Sequence, residues 1–217
     1  VRAGKSVEVL SLFHPNNVKA DAKAFAALMR HLRETDTTRR VIMIQVENEV
    51  VLLGDSRDRS PAANQVFAMA VPKEFTDWLA KRRQELLPEF RQIWEGAGAK
   101  TSGTWAQVFG GGAAADEIFM AWHYARYLNA LAEAGKHEYD LPMFVNAWIV
   151  QPEDKAPGDY PSGGPQAHMH DVWRAGAPRI DLLCPDIYLP DFAGLTTKYT
   201  RAGNALFVPE SFSDLRG

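Results

Sequence analysis

Four short apolar runs alternate with helical patterns along this chain, and they constrain its fold more than any other feature. The runs cover residues 41–46, 143–150, 180–189 and 205–211. They are nearly continuous and lack the strict alternation of a strand with one solvated face. Strands buried on both faces have this composition, and they occur in parallel sheets covered by helices. The pattern therefore predicts an α/β protein with either a doubly wound sheet or a barrel.

Amphipathic patterns separate the runs and predict the covering helices. Apolar residues at i, i+3, i+4 and i+7 mark one face of a helix. Such patterns cover residues 21–35, 73–87, 116–134 and 166–175, with a weaker one over 193–200. Pro88 is expected to interrupt the second helix or to begin another one. Gly135 is expected to cap the C-terminus of the longest helix.

A helical insertion is predicted over residues 50–115, between the first strand and its helix. It contains the polar loop 54–60 and the glycine-rich stretch 109–116. A glycine run before a helix can bind phosphate, but no strand directly precedes this one, so a connector is the favoured interpretation. The length of 217 residues fits one large domain or two small ones. We expect residues 1–217 to form one partial catalytic domain.

Charge and composition argue against several classes of protein. The 24 basic and 27 acidic residues are spread along the chain and give a net charge of −3. Nucleic-acid binding is not expected, because it needs a basic patch or stripe. No apolar run approaches the roughly 20 residues that span a bilayer. Cys184 is the only cysteine, so an internal disulfide is excluded and a cysteine-based metal site is not expected.

Polar and aromatic side chains stand near the end of every apolar run. They are Glu47, Asn48 and Glu49; Asn146 and Trp148; Asp186 and Tyr188; and Glu210 and Ser211. In barrels and open α/β sheets, reactive groups lie at the carboxyl ends of the strands. Two carboxylates that meet there fit glycoside hydrolysis. One protonates the leaving oxygen, and the other attacks the anomeric carbon or activates water.

The stretch "IQVENE" (44–49) resembles the acid/base motif of the β-galactosidases of glycoside hydrolase family 35 and their clan A relatives, including family 42. "FVPES" (207–211) resembles the strand that carries their nucleophile. "GDSRDRSP", "FMAWHYARYLNA", "YPSGGP" and "PDIYLPDF" extend the similarity to a bacterial branch of family 35 over most of the chain. The resemblance implies that Glu49 is the acid/base and Glu210 the nucleophile of a retaining enzyme.

The resemblance also implies a (β/α)8 TIM barrel, of which we expect about strands 4 to 7 with their helices in this sequence. The implied reaction releases terminal β-D-galactose by double displacement, without a metal ion or an organic cofactor. Many family members follow the motif with an aromatic residue and glycine. Here Val50 and Val51 follow it, which puts the shape of the sugar subsite in question but leaves the chemistry unchanged.

Four further residues are candidates for substrate binding. The resemblance gives Asn48 the sugar 2-hydroxyl and the nucleophile as partners. Asn146 could contact another hydroxyl, and Trp148 could stack on an apolar sugar face. Tyr188 could hydrogen-bond to Glu210 or to the sugar. Packing in the protein core is the alternative for both aromatic residues.

Other functions stay open at this point. A different clan A glycosidase (β-glucosidase, β-mannanase or α-L-arabinofuranosidase) and a non-catalytic carbohydrate-binding barrel remnant are alternatives. A metal-dependent hydrolase would use His168 and His170, which we instead assign to the surface start of a helix. The expected partner is a carbohydrate. Oligomeric state is open, with a homo-oligomer among the alternatives. A periplasmic or secreted location of the full-length protein is weakly favoured.

Overall fold

A computed structural model describes residues 10–149 and 155–212 as a mixed α/β fold with a small parallel sheet. The sheet has three strands in the order β1-β2-β3. These strands are β1 (Ile44–Gln45), β2 (Met143–Trp148) and β3 (Leu182–Asp186). This agrees with the predicted class, an α/β protein with parallel strands and covering helices.

Eight α-helices surround the sheet in the described parts of the chain. They are α1 (Pro15–Thr35), α2 (Pro61–Phe67), α3 (Lys73–Lys81), α4 (Pro88–Gly96), α5 (Trp105–Phe109), α6 (Ala113–Glu138), α7 (His170–Gly176) and α8 (Phe192–Tyr199). Short 3-10 turns cover Ala167–Met169 and Arg201–Gly203. None of the helices described has both the length and the apolar character needed to cross a bilayer.

The strand register brings the carboxyl ends of the three strands to one edge of the sheet. Ile44 of β1 pairs with Met143, and Trp148 at the end of β2 pairs with Asp186 at the end of β3. The strand β2 is buried up to Ala147, whereas Trp148 is exposed. The residues that follow these ends are therefore close in space.

The core lies around α6, which packs against α1 and α7. An aromatic group fills the space between α6 and the inserted helices. The Phe75 and Trp122 rings stack at 4.5 Å, and Trp105 meets Phe119 edge-on at 5.2 Å. Such buried aromatic side chains are worth about 3–5 kcal/mol each when truncated to alanine. Trp105 is consequently a core residue.

The helices α2 to α5 occupy the predicted insertion, residues 50–115. Its polar loop is tied to the start of α6 through ion pairs. Arg59 donates to Asp116 at 2.8 Å and to Asp55 at 2.9 Å. These bonds fix the insertion against the long helix, close to the turn that follows β1.

Two strands differ from the sequence prediction. The first run forms a strand only over Ile44–Gln45. The fourth run, 205–211, forms no strand apart from an isolated parallel bridge between Ile187 and Ser211. The reason lies in Asn204, whose side chain accepts from Leu183 N at 3.1 Å and donates to Leu183 O at 2.8 Å. The Asn204 side chain thus forms the hydrogen bonds that the backbone of an adjacent strand would form with β3.

Several helix ends differ from the prediction. The helix α1 begins at Pro15 and not near residue 21. The helix α3 ends at Lys81, not near residue 87. The predicted cap Gly135 lies inside α6, which ends at Glu138. Glycine is needed there for close packing, since a Cβ at this position would collide with the ring of Phe25 on α1. The last residue of the second apolar run, 150, lies outside the described ranges.

Candidate active site

Glu49 reaches the carboxyl edge of the sheet through a tight turn after β1. Glu47 and Glu49 both have left-handed backbone conformations, with φ of 64° and 46°. This conformation is uncommon for residues other than glycine and costs about 1–2 kcal/mol per residue. It breaks the regular alternation that would have put the two carboxylates on one face. Glu47 is exposed and forms no hydrogen bond or ion pair with the described residues, whereas Glu49 is half-buried. From the sequence, Glu47 is expected to pair with a cation or an amide and not to be the acid/base, and no such partner is found among the described residues.

The side chain of Asn146 holds this turn in place. Its Oδ1 accepts from the Glu49 backbone N–H at 2.9 Å and from Gln45 Nε2 at 3.2 Å. Its Nδ2 donates to Asn48 Oδ1 at 2.9 Å and to Asp186 Oδ2 at 2.7 Å. All four hydrogen-bonding positions of this buried amide are thus occupied. A contact between Asn146 and a sugar hydroxyl would have to replace one of these bonds.

Asn48 is exposed and differs from Asn146 in having unused donors. Its Oδ1 accepts from Gln45 and from Asn146, both at 2.9 Å. Its Nδ2 has no partner among the described residues. This amide nitrogen is the group on Asn48 that could donate to a ligand.

Glu210 reaches the same edge from the segment that follows α8. Its carbonyl oxygen accepts from Ile187 N at 2.9 Å, which joins the segment to the end of β3. The Tyr188 hydroxyl donates to Glu210 Oε2, also at 2.9 Å. This hydrogen bond is the main cause of a raised pKa of Tyr188.

Three carboxyl groups meet at this edge. One oxygen from each of Glu49, Asp186 and Glu210 lies within 4.8 Å of the other two. Glu49 and Glu210 are half-buried, and Asp186 is only 3% exposed. Removal from water is the largest cause that raises the pKa of Asp186 to about 8. A hydrogen bond with Glu49 and the charges of Glu210 and Glu49 raise it further, while Asn146 lowers it.

Two aromatic rings border the carboxyl groups. Trp148 is 42% exposed and Tyr188 is 45% exposed. The backbone oxygen of Trp148 accepts a close hydrogen bond from Gln166 Nε2, which fixes the end of β2. The Tyr188 ring meets Phe212 edge-on at 5.2 Å. Neither ring is core, so both can contact a ligand at this edge.

The histidines 168 and 170 are not gathered into a metal site in the parts of the chain that the structure describes. His168 Nε2 lies 3.0 Å from Glu117 Oε2. His170 is fully buried with its ring 4.9 Å from that of Tyr199. Asp171 is buried as well and accepts from Leu87 N at 2.7 Å. The assignment to a surface helix start is wrong for His170, because its side chain is fully buried, as is that of its neighbour Asp171.

The structure thus brings together Glu49, Asn48, Asn146, Tyr188 and Glu210 from the sequence-based site, with Trp148 at its border. Sequence reasoning did not include Asp186 in that site. Asp186 stands at the end of an apolar run, after Pro185, and this position could have suggested a site residue. The sequence does not show that Asp186 is buried against two other carboxyl groups.

The fold and this edge define an α/β protein with a carboxyl cluster at the C-terminal ends of parallel strands. Comparison of the chain with models of known protein families and with curated proteins finds no significant match.

Proposed function

We propose that this chain contributes the acid/base and the nucleophile of a retaining glycoside hydrolase that releases terminal β-D-galactose from β-galactosides. The observation that carries the proposal is the approach of Glu49 and Glu210 to within 4.8 Å, measured between oxygens. Carboxyl groups in retaining glycosidases lie about 5–5.5 Å apart, whereas inverting enzymes need about 6.5–9.5 Å to fit a water molecule. Double displacement is proposed from the resemblance of the two motifs, and the approach of the oxygens is compatible with it.

The surroundings of the two carboxylates support different roles. Glu210 accepts a hydrogen bond from the Tyr188 hydroxyl at 2.9 Å, and this bond orients its carboxylate for the role of nucleophile. Glu49 instead contacts the buried carboxyl of Asp186. Such a neighbour favours the retention of a proton between the two groups, as a general acid requires.

The reaction follows from these roles. Glu210 attacks the anomeric carbon while the bond to the leaving oxygen breaks, and Glu49 gives that oxygen its proton. Water then attacks the glycosyl–Glu210 ester, loses a proton to Glu49, and releases galactose with its original configuration. Asn48 Nδ2 is placed to donate to a sugar hydroxyl, and Trp148 offers an apolar surface for a sugar face.

We further propose that the sheet is part of a (β/α)8 barrel. Its three strands are parallel and adjacent in chain order, and each is followed by helical structure. The carboxyl cluster lies at the C-terminal ends of the strands, where barrel enzymes carry their active sites.

A panel of nitrophenyl glycosides tests the proposed activity on the full-length protein. We expect hydrolysis of the β-galactoside, with the β-anomer of galactose formed first in a proton NMR time course. Glu210→Gln should abolish turnover, and the matched control Glu47→Gln should retain it. Preference for a β-glucoside, a β-mannoside or an α-L-arabinofuranoside would replace galactose in the proposal. Failure to cleave any glycoside would refute glycosidase activity.

A further inference from the structure

A third carboxyl group, that of Asp186, is part of this cluster but has no role in the two-carboxylate reaction. Its Oδ2 accepts from Asn146 Nδ2 at 2.7 Å. Its Oδ1 is buried, and no N–H or O–H donor of the described residues reaches it. A buried acceptor without a partner costs about 1–3 kcal/mol, and more if it is charged. The arrangement around Oδ1 therefore needs an explanation.

One oxygen of the Glu49 carboxyl lies within 4.8 Å of one oxygen of the Asp186 carboxyl. Two ionised carboxylates have only acceptor atoms, and they repel each other at this distance. A proton between them removes both problems, because one group then becomes an O–H donor to the other. In pairs of this kind the proton belongs to the pair and not to either residue alone.

We propose, on the basis of the function proposed above, that Asp186 is a positioning residue that shares one proton with Glu49 through neutral pH. In this arrangement Asp186 Oδ1 carries or accepts the proton and orients the Glu49 carboxyl toward the leaving oxygen. Asn146 holds the two residues in position, because its amide binds both the Asp186 carboxylate and the Glu49 backbone N–H.

The charged side chains that act on Asp186 are Glu49 and Glu210, and both favour retention of the proton. The amide of Asn146 acts in the opposite direction. Among the described residues, Cys184, Tyr188 and Tyr199 also lie close enough to feel the Asp186 charge, and none of them is a cation. The pKa of about 8 agrees with a proton that is held at pH 7.

The shared proton has a defined path in the first chemical step. It passes from Glu49 to the leaving oxygen as the glycosidic bond breaks, and the Glu49–Asp186 pair becomes fully ionised. In the second step the attacking water returns a proton to Glu49, which restores the pair. The number of protons is therefore conserved over one catalytic cycle.

Infrared difference spectroscopy tests the shared proton without any need for activity. At pH 7 we expect the wild-type protein to show the C=O band of a protonated carboxyl group, which Asp186→Asn removes. Glu47→Gln is the matched control. It replaces an exposed carboxylate by an amide in the turn that carries Glu49, and it should keep the band. If the wild type lacks the band, or Asp186→Asn retains it, the inference is overturned. Binding of Mg²⁺ or Ca²⁺ that Asp186→Asn abolishes would also overturn it, by giving Oδ1 a cation as its partner.

Kinetics test whether the proton is used. Asp186→Asn keeps an acceptor for Asn146 and an N–H donor for Glu49, so orientation is preserved while the shared proton is lost. We expect the alkaline limb of the pH profile of kcat/KM to move to lower pH by more than one unit. Activity on a natural disaccharide should drop about 10²-fold, at the lower end of the range of general acid catalysis. The first step on an activated aryl galactoside should be nearly unchanged.

The outcomes separate this inference from the proposed function. An unchanged alkaline limb in an active Asp186→Asn variant would refute the positioning role, and so would equal losses on both substrates. If the protein cleaves no glycoside at all, the proposed function fails, and the infrared result alone decides whether the pair shares a proton.

Discussion

The Tyr188 hydroxyl donates to Glu210 Oε2 at 2.9 Å, across the gap between the end of β3 and the segment after α8. The tyrosine ring is nearly half exposed and rests against Phe212. This hydrogen bond joins the two stretches of chain that carry one side of the candidate site, and it distinguishes Glu210 from Glu49.

Tyr188→Phe should therefore impair the nucleophile and leave the ring contact with Phe212 intact. A hydrogen bond to a charged group is worth about 1.5–3 kcal/mol, so kcat/KM should fall about 10–100-fold. Tyr139→Phe is the control, since Tyr139 uses no hydroxyl hydrogen bond among the described residues. An unchanged kcat/KM in Tyr188→Phe would argue against a nucleophilic role for Glu210.

Azide should distinguish the roles of the two glutamates. In Glu49→Ala an activated aryl galactoside still forms the covalent intermediate, which accumulates because no base activates water. Azide needs no base, so it should rescue turnover and give β-galactosyl azide. In Glu210→Ala azide should occupy the space of the lost carboxylate and give the α-product. Product anomers can be read by NMR. Swapped anomers, or no rescue of either variant, would contradict the assignment.

Asp186 should make the stability of the protein fall with rising pH. Its pKa is raised from 3.8 to about 8 in the folded state, so the folded protein binds more protons than the unfolded chain between these values. The contribution to stability is complete below about pH 4 and is lost as pH rises through 8. The Asp186→Asn variant has no carboxyl group to ionise at this position, so its stability lacks this pH dependence. The free energy of unfolding of the variant minus that of the wild type should therefore rise between pH 4 and 8, by on the order of a few kcal/mol.

Urea denaturation at several pH values measures this difference. Glu47→Gln, which amidates an exposed carboxylate in the neighbouring turn, should show no comparable trend. A difference between Asp186→Asn and wild type that is constant with pH would show that Asp186 titrates alike in the folded and unfolded states.

His123 should have the opposite effect on acid stability. Its ring packs against Phe119 at 4.6 Å and Phe13 at 5.0 Å, and burial lowers its pKa from 6.5 to about 4. Its contribution to stability is present above pH 6.5 and is lost as pH falls through 4. His123→Phe fits the same aromatic site without a titrating group. Its melting temperature relative to wild type should rise between pH 7 and 4.5.

The control for this variant is His31→Gln, which removes an exposed imidazole. It should show no such gain on acidification. Thermal unfolding followed by circular dichroism measures both variants. A melting-temperature difference that does not change with pH would contradict an acid-linked role for His123.

Local sequence determines much of the helical structure, because periodic apolar residues bury one face wherever the helix packs. The pattern predicts the helices α1, α4 and α6 within a few residues at most ends. Gly135 was misassigned because its partner, Phe25, lies far away in sequence on α1. The positions of Glu49 and Glu210 at the ends of apolar runs are a signal for the site that the amino-acid sequence carries by itself.

The remaining features depend on contacts between distant residues. The left-handed turn at Glu47 and Glu49 is held by Asn146, which lies on another strand. The fourth apolar run does not pair with β3 at Leu183, because the Asn204 side chain occupies the backbone N–H and C=O of Leu183. The burial of Asp186 depends on the three segments that carry Glu49, Asp186 and Glu210. Periodicity along the sequence carries no information about such contacts.

Glu210 is attached to the sheet by few contacts, and this affects how the protein loses its function on heating. The segment after Asn204 is joined to the sheet by the Ile187–Glu210 backbone bond, the Tyr188 hydroxyl, the Phe144–Phe207 ring contact and the bridge at Ser211. Ala205 and Leu206 are exposed. A segment with few buried contacts opens at a lower free energy than the core around α6. Loss of the proposed function on warming should therefore precede global unfolding, because Glu210 detaches while the helical core remains folded.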